Sequence, residues 1–174
     1  GVPFGWRCHK LAGGGMMLDW GVHLVDQVLQ MIPEPVVSVY AQLFSIHTPE
    51  VDDAFKLFLR FESGVTALVE VGTLHYLSLP RWFVCGDRGT LQVDDWSCRN
   101  RLVRPRDEAV TWEEEILFTK AGPTKTMAPR SSASLEEETL EAGDVDFAQF
   151  YTDLLDHLEG KAPLAVTPDA ALRV

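Results

Sequence analysis

The apolar positions along the chain follow a helical period first and a strand period afterwards. The helical period begins after a run of three glycines and continues to about residue 32. At about 100° per residue, one narrow stripe of this helix is polar and consists of Asp19, His23, Asp26 and Gln30. The opposite side holds Met17, Gly21, Leu24, Val28 and Met31. A glycine inside a helix costs roughly 1 kcal/mol relative to alanine, so Gly21 predicts that the helix backbone lies close against another element, such as a sheet.

Alternating apolar residues predict antiparallel strands after this helix. The expected strands lie at 36–44, 55–61, 65–71, 81–85, 90–93, 98–103 and 110–118. Tight turns join two pairs of them into hairpins, because glycine stands between 61 and 65 and again between 85 and 90. Phe58 and Leu68 are apolar positions on the otherwise polar face of the first hairpin. They predict that a second copy of the chain covers this face.

The last third of the chain is predicted to be less regular. Residues 119–134 are rich in Gly, Pro, Ser and Thr, which is typical of a loop. The acidic run at 136–138 is typical of solvated surface. Helical spacing returns at about 144–159. Thr167, Pro168 and Asp169 then form the signature of a helix start, with a capping residue, a proline in the first turn and an early acid.

Composition and charge narrow the possible partners. The chain has 174 residues, of which 46% are hydrophobic and 24% charged, as expected of a single folded domain over 1–174. Its formal net charge of −11 argues against nucleic acid and anionic membranes as partners, and no apolar run is long enough for a membrane span. Cys8, Cys85 and Cys98 show no paired spacing, which indicates free thiols in the cytoplasm, with neither a disulfide scaffold nor a structural zinc site.

The polar stripe of the first helix is the strongest candidate for chemistry. Asp19 and His23 stand four residues apart, so they are neighbours on a helix surface. The pair is either a solvated helix face or an acid/base pair in which Asp19 orients and charge-stabilises His23. Gly13, Gly14 and Gly15 favour the second interpretation, because a glycine run before a helix allows backbone to approach a ligand closely.

The pattern Gly-Gly-Gly-x-x-x-Asp-x-Gly-x-His-x-x-Asp at 13–26, preceded by Trp6 and Arg7, resembles the start of a known domain. This is the C-terminal domain of the glucose-fructose oxidoreductase / inositol dehydrogenase / rhizopine catabolism (Gfo/Idh/MocA) family. Two weaker matches follow in order, the Gly-x-x-Gly-Thr-Leu turn at 86–91 and the segment 147–168. The resemblance implies an α+β fold, with an open, mostly antiparallel sheet and helices packed on one face.

The resemblance also implies a function and a missing partner domain. Family members are NAD(P)-dependent oxidoreductases of sugars and polyols, in which the histidine at the position of His23 is the usual acid/base and the aspartate contacts substrate. The family's second catalytic motif, Glu-Lys-Pro, is absent, and no Gly-x-Gly-x-x-Gly fingerprint follows a strand. We therefore expect a substrate-binding and oligomerisation domain without its nucleotide-binding domain, cut at both ends and inactive alone. The cofactor, NAD or NADP, would be bound mainly by that absent domain.

Further residues are assigned to the site by position. Trp6, Arg7, Lys10 and His75 are the predicted substrate contacts, and the glycine run is predicted to lie near the nicotinamide. A sugar or polyol is the expected substrate, and a homo-oligomer formed through the sheet face is the expected assembly. Three alternatives stay open: an NAD-dependent glycosidase of the same family, a non-catalytic dimerising or sugar-binding module, and a divalent metal held by Asp19, His23 and His75.

Overall fold

The computed structural model describes residues 3–106, 115–126, 132–141, 143 and 146–174. The chain divides into two compact units, the first comprising Gly1–Tyr76 and Asp146–Val174 and the second Leu77–Val145. The prediction of one domain over 1–174 stays a prediction. Within the described residues, no helix is both long and apolar enough to cross a membrane.

A broken helix opens the first unit. Two short 3₁₀ turns, Gly5–Cys8 and Lys10–Ala12, lead into the glycine run. The helix then starts with a π-helical turn, Met17–Gly21, and continues as α1, Val22–Met31. The sequence predicted a regular helix here, so the π turn is a correction. A π turn adds one residue to a helical turn, and the residues before and within it no longer keep the 100° phase that the sequence pattern assumes.

The first sheet has three antiparallel strands in the order β1–β2–β3. They are β1 Val36–Phe44, β2 Ala54–Phe61 and β3 Thr66–Gly72, which confirms the first three predicted strands. One face is the core of the unit, and its buried members are Phe55, Leu57, Leu59, Phe61 and Val69. The helix packs on this face through buried Val25, Val28 and Leu29.

Gly21 lies where the helix backbone approaches the sheet. A Cβ at this position would stand 3.1 Å from Cζ of Phe55 and 2.8 Å from Sδ of Met17. The predicted close approach of the helix to a sheet is therefore confirmed. The predicted apolar side is only partly right, because Met31 is exposed while Val25 and Leu29 are buried.

Two short helices complete the first unit. They are α2, Gln149–Leu158, and α3, Pro168–Leu172. The helix predicted from about 144 is shorter than expected, and residues 144 and 145 lie outside the described residues. The signature at the start of α3 is confirmed, since Oγ1 of Thr167 accepts a hydrogen bond from the Ala170 N–H at 3.1 Å. Arg173 follows α3 and donates to the carbonyl oxygens of Leu29 and Glu34.

The second unit consists of β-structure. Its strands are β4 Trp82–Gly86, β5 Gly89–Val93, β6 Asn100–Pro105, β7 Glu115–Thr119, β8 Gly122–Thr126 and β9 Leu135–Glu138. One antiparallel sheet has the order β4–β5–β6–β9, and β7 pairs with β8 alone. The second predicted hairpin is confirmed by β4 and β5. Of the strand predicted at 110–118, residues 110–114 lie outside the described residues.

One prediction for the second unit was wrong, and a second left out a strand. Residues 119–134 were expected to be a loop, yet β8 lies within them and pairs with β7 across a turn at 120–121, and residues 127–131 lie outside the described residues. Of the acidic run at 136–138, Glu137 and Glu138 are exposed as expected and Glu136 is half-buried, but the run belongs to strand β9 and faces two arginines of β6. Nε of Arg104 lies 2.5 Å from Glu136, and Nη2 of Arg101 lies 2.9 Å from Glu137.

The fold class agrees with the prediction. The described part of the chain is α+β, with open antiparallel sheets, few helices and the first helix packed on one face of its sheet. The strands form three sheets within the described residues, where the sequence suggested one.

Candidate functional site

The glycine run allows two close approaches between parts of the chain. A Cβ at Gly14 would lie 2.5 Å from the carbonyl oxygen of Arg7, and the Gly15 N–H donates to that same oxygen at 3.0 Å. Gly15 has a φ of +113°, and a Cβ there would lie 2.5 Å from Oδ1 of Asp52. Two of the three glycines are therefore explained by contacts within the protein. Gly13, with φ +75°, faces open space.

Asp52 caps the start of the helix. Its carbonyl oxygen accepts a hydrogen bond from the Met16 N–H at 3.0 Å, and its Oδ2 accepts one from the Met17 N–H at 2.8 Å. These donors are among the free amides that a helix N-terminus offers, and a carboxylate is favourable at this end of the helix dipole. Sequence reasoning missed Asp52, although an Asp pair directly before a strand was a signal for a polar cap.

Asp19 makes an ion pair with Arg7. Nε of Arg7 donates to Oδ2 of Asp19 at 2.6 Å, and the Asp19 side chain is 14% exposed against 36% for Arg7. The guanidinium of Arg7 also stacks over the ring of Trp6, with 4.7 Å from Cζ to the ring centroid. Trp6, Arg7 and Asp19, all named from the sequence, are thus brought together around the glycine run.

His23 is exposed on α1 and lies beside an aromatic ring that sequence reasoning missed. The imidazole and the indole of Trp20 meet edge to face, with 6.4 Å between centroids and an interplanar angle of 79°. Trp20 is 44% exposed. The available signal was a tryptophan three residues before a candidate base. Among the described ion pairs, the carboxylate of Asp19 is joined to Arg7 and not to His23, so Asp19 does not orient the imidazole directly here.

Lys10 stands at the edge of this cluster. It is exposed, and its backbone N–H donates to Oε2 of Glu50 at 3.3 Å. The same carboxylate lies 3.7 Å from Nδ1 of His9. Glu50 belongs to the connection between β1 and β2, as does Asp52. This connection therefore contacts the N-terminal segment at both Lys10 and the helix start.

His75 lies on the other side of the first sheet. Its Nε2 is 3.4 Å from Oε1 of Glu70, which is also 3.3 Å from Nζ of Lys56. Lys56 and Glu70 are cross-strand partners on the face opposite the helix. The structure therefore does not bring His75 to Asp19 and His23. The metal site imagined from these three residues is not assembled, and the described residues hold no group of three His, Cys, Asp or Glu side chains that could bind a metal.

Comparison with known proteins identifies the family. Residues 2–92, about half of the chain, match the family model described as GFO/IDH/MocA C-terminal domain. The chain belongs to this family. The resemblance seen in the sequence is confirmed, and the chain is part of a family of oxidoreductases. No match was found among curated proteins.

Solved structures agree with this assignment. The chain superposes on an NAD-binding protein from Listeria innocua with a TM-score of 0.87 and 40% sequence identity, covering 99% of this chain and 50% of that one. The UDP-N-acetylglucosamine 3-dehydrogenase GnnA from Acidithiobacillus ferrooxidans gives a TM-score of 0.69 at 16% identity, over 99% of this chain and 48% of that one. An oxidoreductase from Bacillus cereus gives 0.65 at 14% identity, over 91% and 45%. The last two share the fold, and the chain spans about half the length of each relative.

Proposed function

We propose that this chain is the substrate-binding and catalytic-base domain of an NAD(P)-dependent oxidoreductase acting on a sugar, a polyol or a related hydroxy compound. The observation that carries the proposal is an exposed histidine, His23, beside the exposed ring of Trp20 on a helix that starts with a π turn. π turns are frequent at functional sites. Family membership indicates the reaction class. The side chain of His23 provides a base, and the ring of Trp20 provides a surface on which a substrate can pack.

His23 is the general base in this proposal. Oxidation of a carbinol requires that the hydroxyl proton leave as the carbon loses its hydride, which produces a carbonyl group. An imidazole titrates near neutral pH and transfers protons efficiently there. His23 is exposed and can therefore reach a substrate hydroxyl. In the reverse direction the same ring returns the proton to the carbonyl oxygen.

The chain contributes little to holding the cofactor. The amides of Met16 and Met17 at the helix start already donate to Asp52, so this N-terminus does not fit a pyrophosphate. Gly14 and Gly15 pack against protein atoms, and of the glycine run only Gly13 is free to approach a nicotinamide. Bound nicotinamide would supply the hydride acceptor. Its dinucleotide, NAD or NADP, would be held by a nucleotide-binding domain outside these 174 residues.

Two exposed indoles define the expected substrate surface. Trp6 lies against Arg7 of the Arg7–Asp19 pair, and Trp20 lies beside His23. Sugars and polyols combine C–H surface with hydroxyl groups, and ligand sites pair aromatic surface with a few fixed polar groups. Lys10 is an exposed cation at the same edge. This combination supports a hydroxylated substrate over a purely apolar one.

The test uses the whole protein that carries this chain with its nucleotide-binding domain. Sugars and polyols are assayed with NAD and with NADP, beside His23→Ala and the control His47→Ala, which removes an exposed imidazole elsewhere in the first unit. Loss of a general base typically lowers kcat by about 10² to 10⁴-fold. We expect that loss for His23→Ala with cofactor binding retained, no loss for His47→Ala, and no turnover by the 174 residues alone. Equal turnover by wild type and His23→Ala would refute the proposal.

A homo-oligomer is the proposed assembly. Tyr40, Phe58 and Leu68 are directly opposite one another on the three strands of the first sheet. All three are exposed on the face away from the helix, Tyr40 at 65% and Leu68 at 62%. A contiguous apolar row on a sheet face is typical of an interaction surface. A second copy, which would present the same row, is the proposed occupant.

A further inference from the structure

We propose that Arg7 is a positioning residue that acts through Asp19, and not a substrate contact. The inference rests on the proposed function, in which His23 transfers the proton. It changes the role expected of Arg7 from the sequence. Three features of the structure support it: the ion pair itself, the ring that stacks on the guanidinium, and the glycine that admits the Arg7 backbone.

The ion pair occupies the inner nitrogen of the guanidinium. The donor is Nε, and its 2.6 Å contact with Oδ2 of Asp19 is a short, charge-assisted hydrogen bond. The Asp19 side chain is 14% exposed, so its charge is largely removed from water. Loss of Arg7 from this part-buried pair would leave the Asp19 carboxylate uncompensated, which is unfavourable. Asp19 therefore depends on Arg7 more strongly than an exposed carboxylate would.

The ring of Trp6 restrains the guanidinium from one side. Cζ of Arg7 lies 4.7 Å from the ring centroid, within the range of a cation–π interaction. An arginine between a carboxylate and an indole has few rotamers left. This arrangement suits a group that must hold a fixed geometry, and it suits poorly a side chain that swings toward a ligand.

The glycine run holds the backbone of Arg7 in place. The carbonyl oxygen of Arg7 accepts the Gly15 N–H at 3.0 Å. A Cβ at residue 14 would lie 2.5 Å from that oxygen and 2.8 Å from the carbonyl oxygen of Trp6. A larger residue at position 14 would therefore push the segment that contains Trp6 and Arg7 away. Gly14 thereby links the backbone path of the segment to the position of the Arg7 side chain.

The consequence concerns the helix turn that precedes His23. Asp19 lies inside the π turn, four residues before the proposed base. Arg7 ties this turn to the N-terminal segment, and it balances the carboxylate charge of Asp19. Misplacement of a catalytic group by about 1 Å from a distant change can lower the rate by about 10²-fold. The effect of Arg7 should therefore appear in kcat.

The test is a double-mutant cycle in the whole protein, with Arg7→Met, Asp19→Asn and the double variant. We expect Arg7→Met to lower kcat by roughly 10- to 100-fold with KM changed by less than about threefold. If Arg7 acts through Asp19, the double variant will be no slower than Asp19→Asn alone, because coupled residues are not additive. Gly14→Ala should reproduce part of the loss. Arg101→Met is the matched control, since it removes an exposed arginine–glutamate pair in the second unit.

Each other outcome overturns one statement. A raised KM with wild-type kcat in Arg7→Met would make Arg7 a substrate contact. Additive losses in the cycle would make Arg7 and Asp19 independent. Wild-type turnover in His23→Ala would refute the proposed function itself, whatever Arg7 does. If Arg7→Met fails to fold, Arg7→Lys keeps the charge and stem, and its kcat and KM are interpreted in the same way.

Discussion

The carboxylate of Asp53 holds the connection between β1 and β2, and its removal has a predictable effect on stability. Asp53 is fully buried. Its oxygens accept hydrogen bonds from the backbone N–H groups of Ile46, His47 and Thr48, and from Oγ1 of Thr48 at 3.2 Å. Burial raises the pKa of the Asp53 carboxyl, but these hydrogen bonds outweigh burial and hold its pKa below the usual value.

The expected size of the effect follows from the number of amides. A hydrogen bond to a charged acceptor contributes about 1.5–3 kcal/mol, against about 0.5–1.5 kcal/mol for a neutral one. Asp53→Asn keeps the shape but removes the charge from bonds to three amides, so it should lower the free energy of unfolding by roughly 3 kcal/mol. Asp53→Ala leaves the N–H groups of Ile46, His47 and Thr48 without this acceptor, and that of Thr48 is buried, so it should lower the free energy of unfolding by more than Asp53→Asn does.

The dependence on pH gives a second test. A carboxyl whose pKa is lowered in the folded state stabilises the fold above its unfolded pKa of about 3.9, and this contribution is lost as pH falls through the folded value. The difference in the free energy of unfolding between wild type and Asp53→Asn should therefore be largest at pH 7 and decrease in strongly acidic solution. Urea unfolding followed by tryptophan fluorescence measures it.

The matched control is Asp26→Asn in the same unit. Asp26 accepts a hydrogen bond from Gln30 on the exposed side of α1 at 2.7 Å, so its loss should change stability by less than about 0.5 kcal/mol. The reasoning would be refuted if Asp53→Asn were as stable as wild type at pH 7. It would be refuted equally if the deficit of Asp53→Asn stayed the same in strong acid.

Three further outcomes are expected. Gly21→Ala should destabilise the fold by about 1–3 kcal/mol, because the added methyl overpacks the contact with Phe55; chemical denaturation measures this, and wild-type stability would contradict it. Trp20→Ala should raise KM more than it lowers kcat, because the ring provides binding surface; steady-state kinetics decides, and an unchanged KM would remove Trp20 from the site. Phe58→Asp should yield a smaller species than wild type in light scattering, because it places a charge beside Tyr40 in the proposed interface; an unchanged mass would exclude this face.

Much of the first unit could be predicted because its signals are local. Strands β1 to β3 alternate cleanly, and the glycine at 64 marks the turn between two of them. The π turn could not be predicted in this way. It coincides with the place where Asp52, more than thirty residues away, captures the amides of Met16 and Met17. A contact so distant in sequence leaves no trace in the periodicity of the helix.

Strands β8 and β9 were missed for a related reason. The composition of 119–134 favours a loop, and three consecutive glutamates favour solvent. Pairing turned part of the first segment into a strand, and it made the second a strand that still faces solvent, because strand formation depends on the neighbour as much as on intrinsic propensity. For β9 the neighbour offers opposite charge, since Arg104 of β6 lies across from Glu136. Opposite charges on facing strands were visible in the sequence, but their register was not.

The candidate site, like the fold, could be predicted from the sequence only in part. The residue types were identified from spacing and resemblance, and the structure brings Trp6, Arg7 and Asp19 together. The partner of Asp19 was predicted to be His23 by helical spacing, yet the carboxylate meets Arg7, twelve residues earlier. Helical spacing measures proximity along one element only. It gives no information about a segment that folds back over the helix start.

The fold-back also changes what the glycine run explains. The sequence suggested that the three consecutive glycines let the backbone approach a ligand closely. The structure supplies the close partners from the chain itself: the Arg7 carbonyl for Gly14 and the Asp52 carboxylate for Gly15. Both contacts lead to Asp19, one through the Arg7 ion pair and the other through the capped helix start. The glycines therefore serve catalysis, in this proposal, by fixing the turn that carries Asp19 and leads into His23, and a larger residue at 14 should impair turnover without touching substrate.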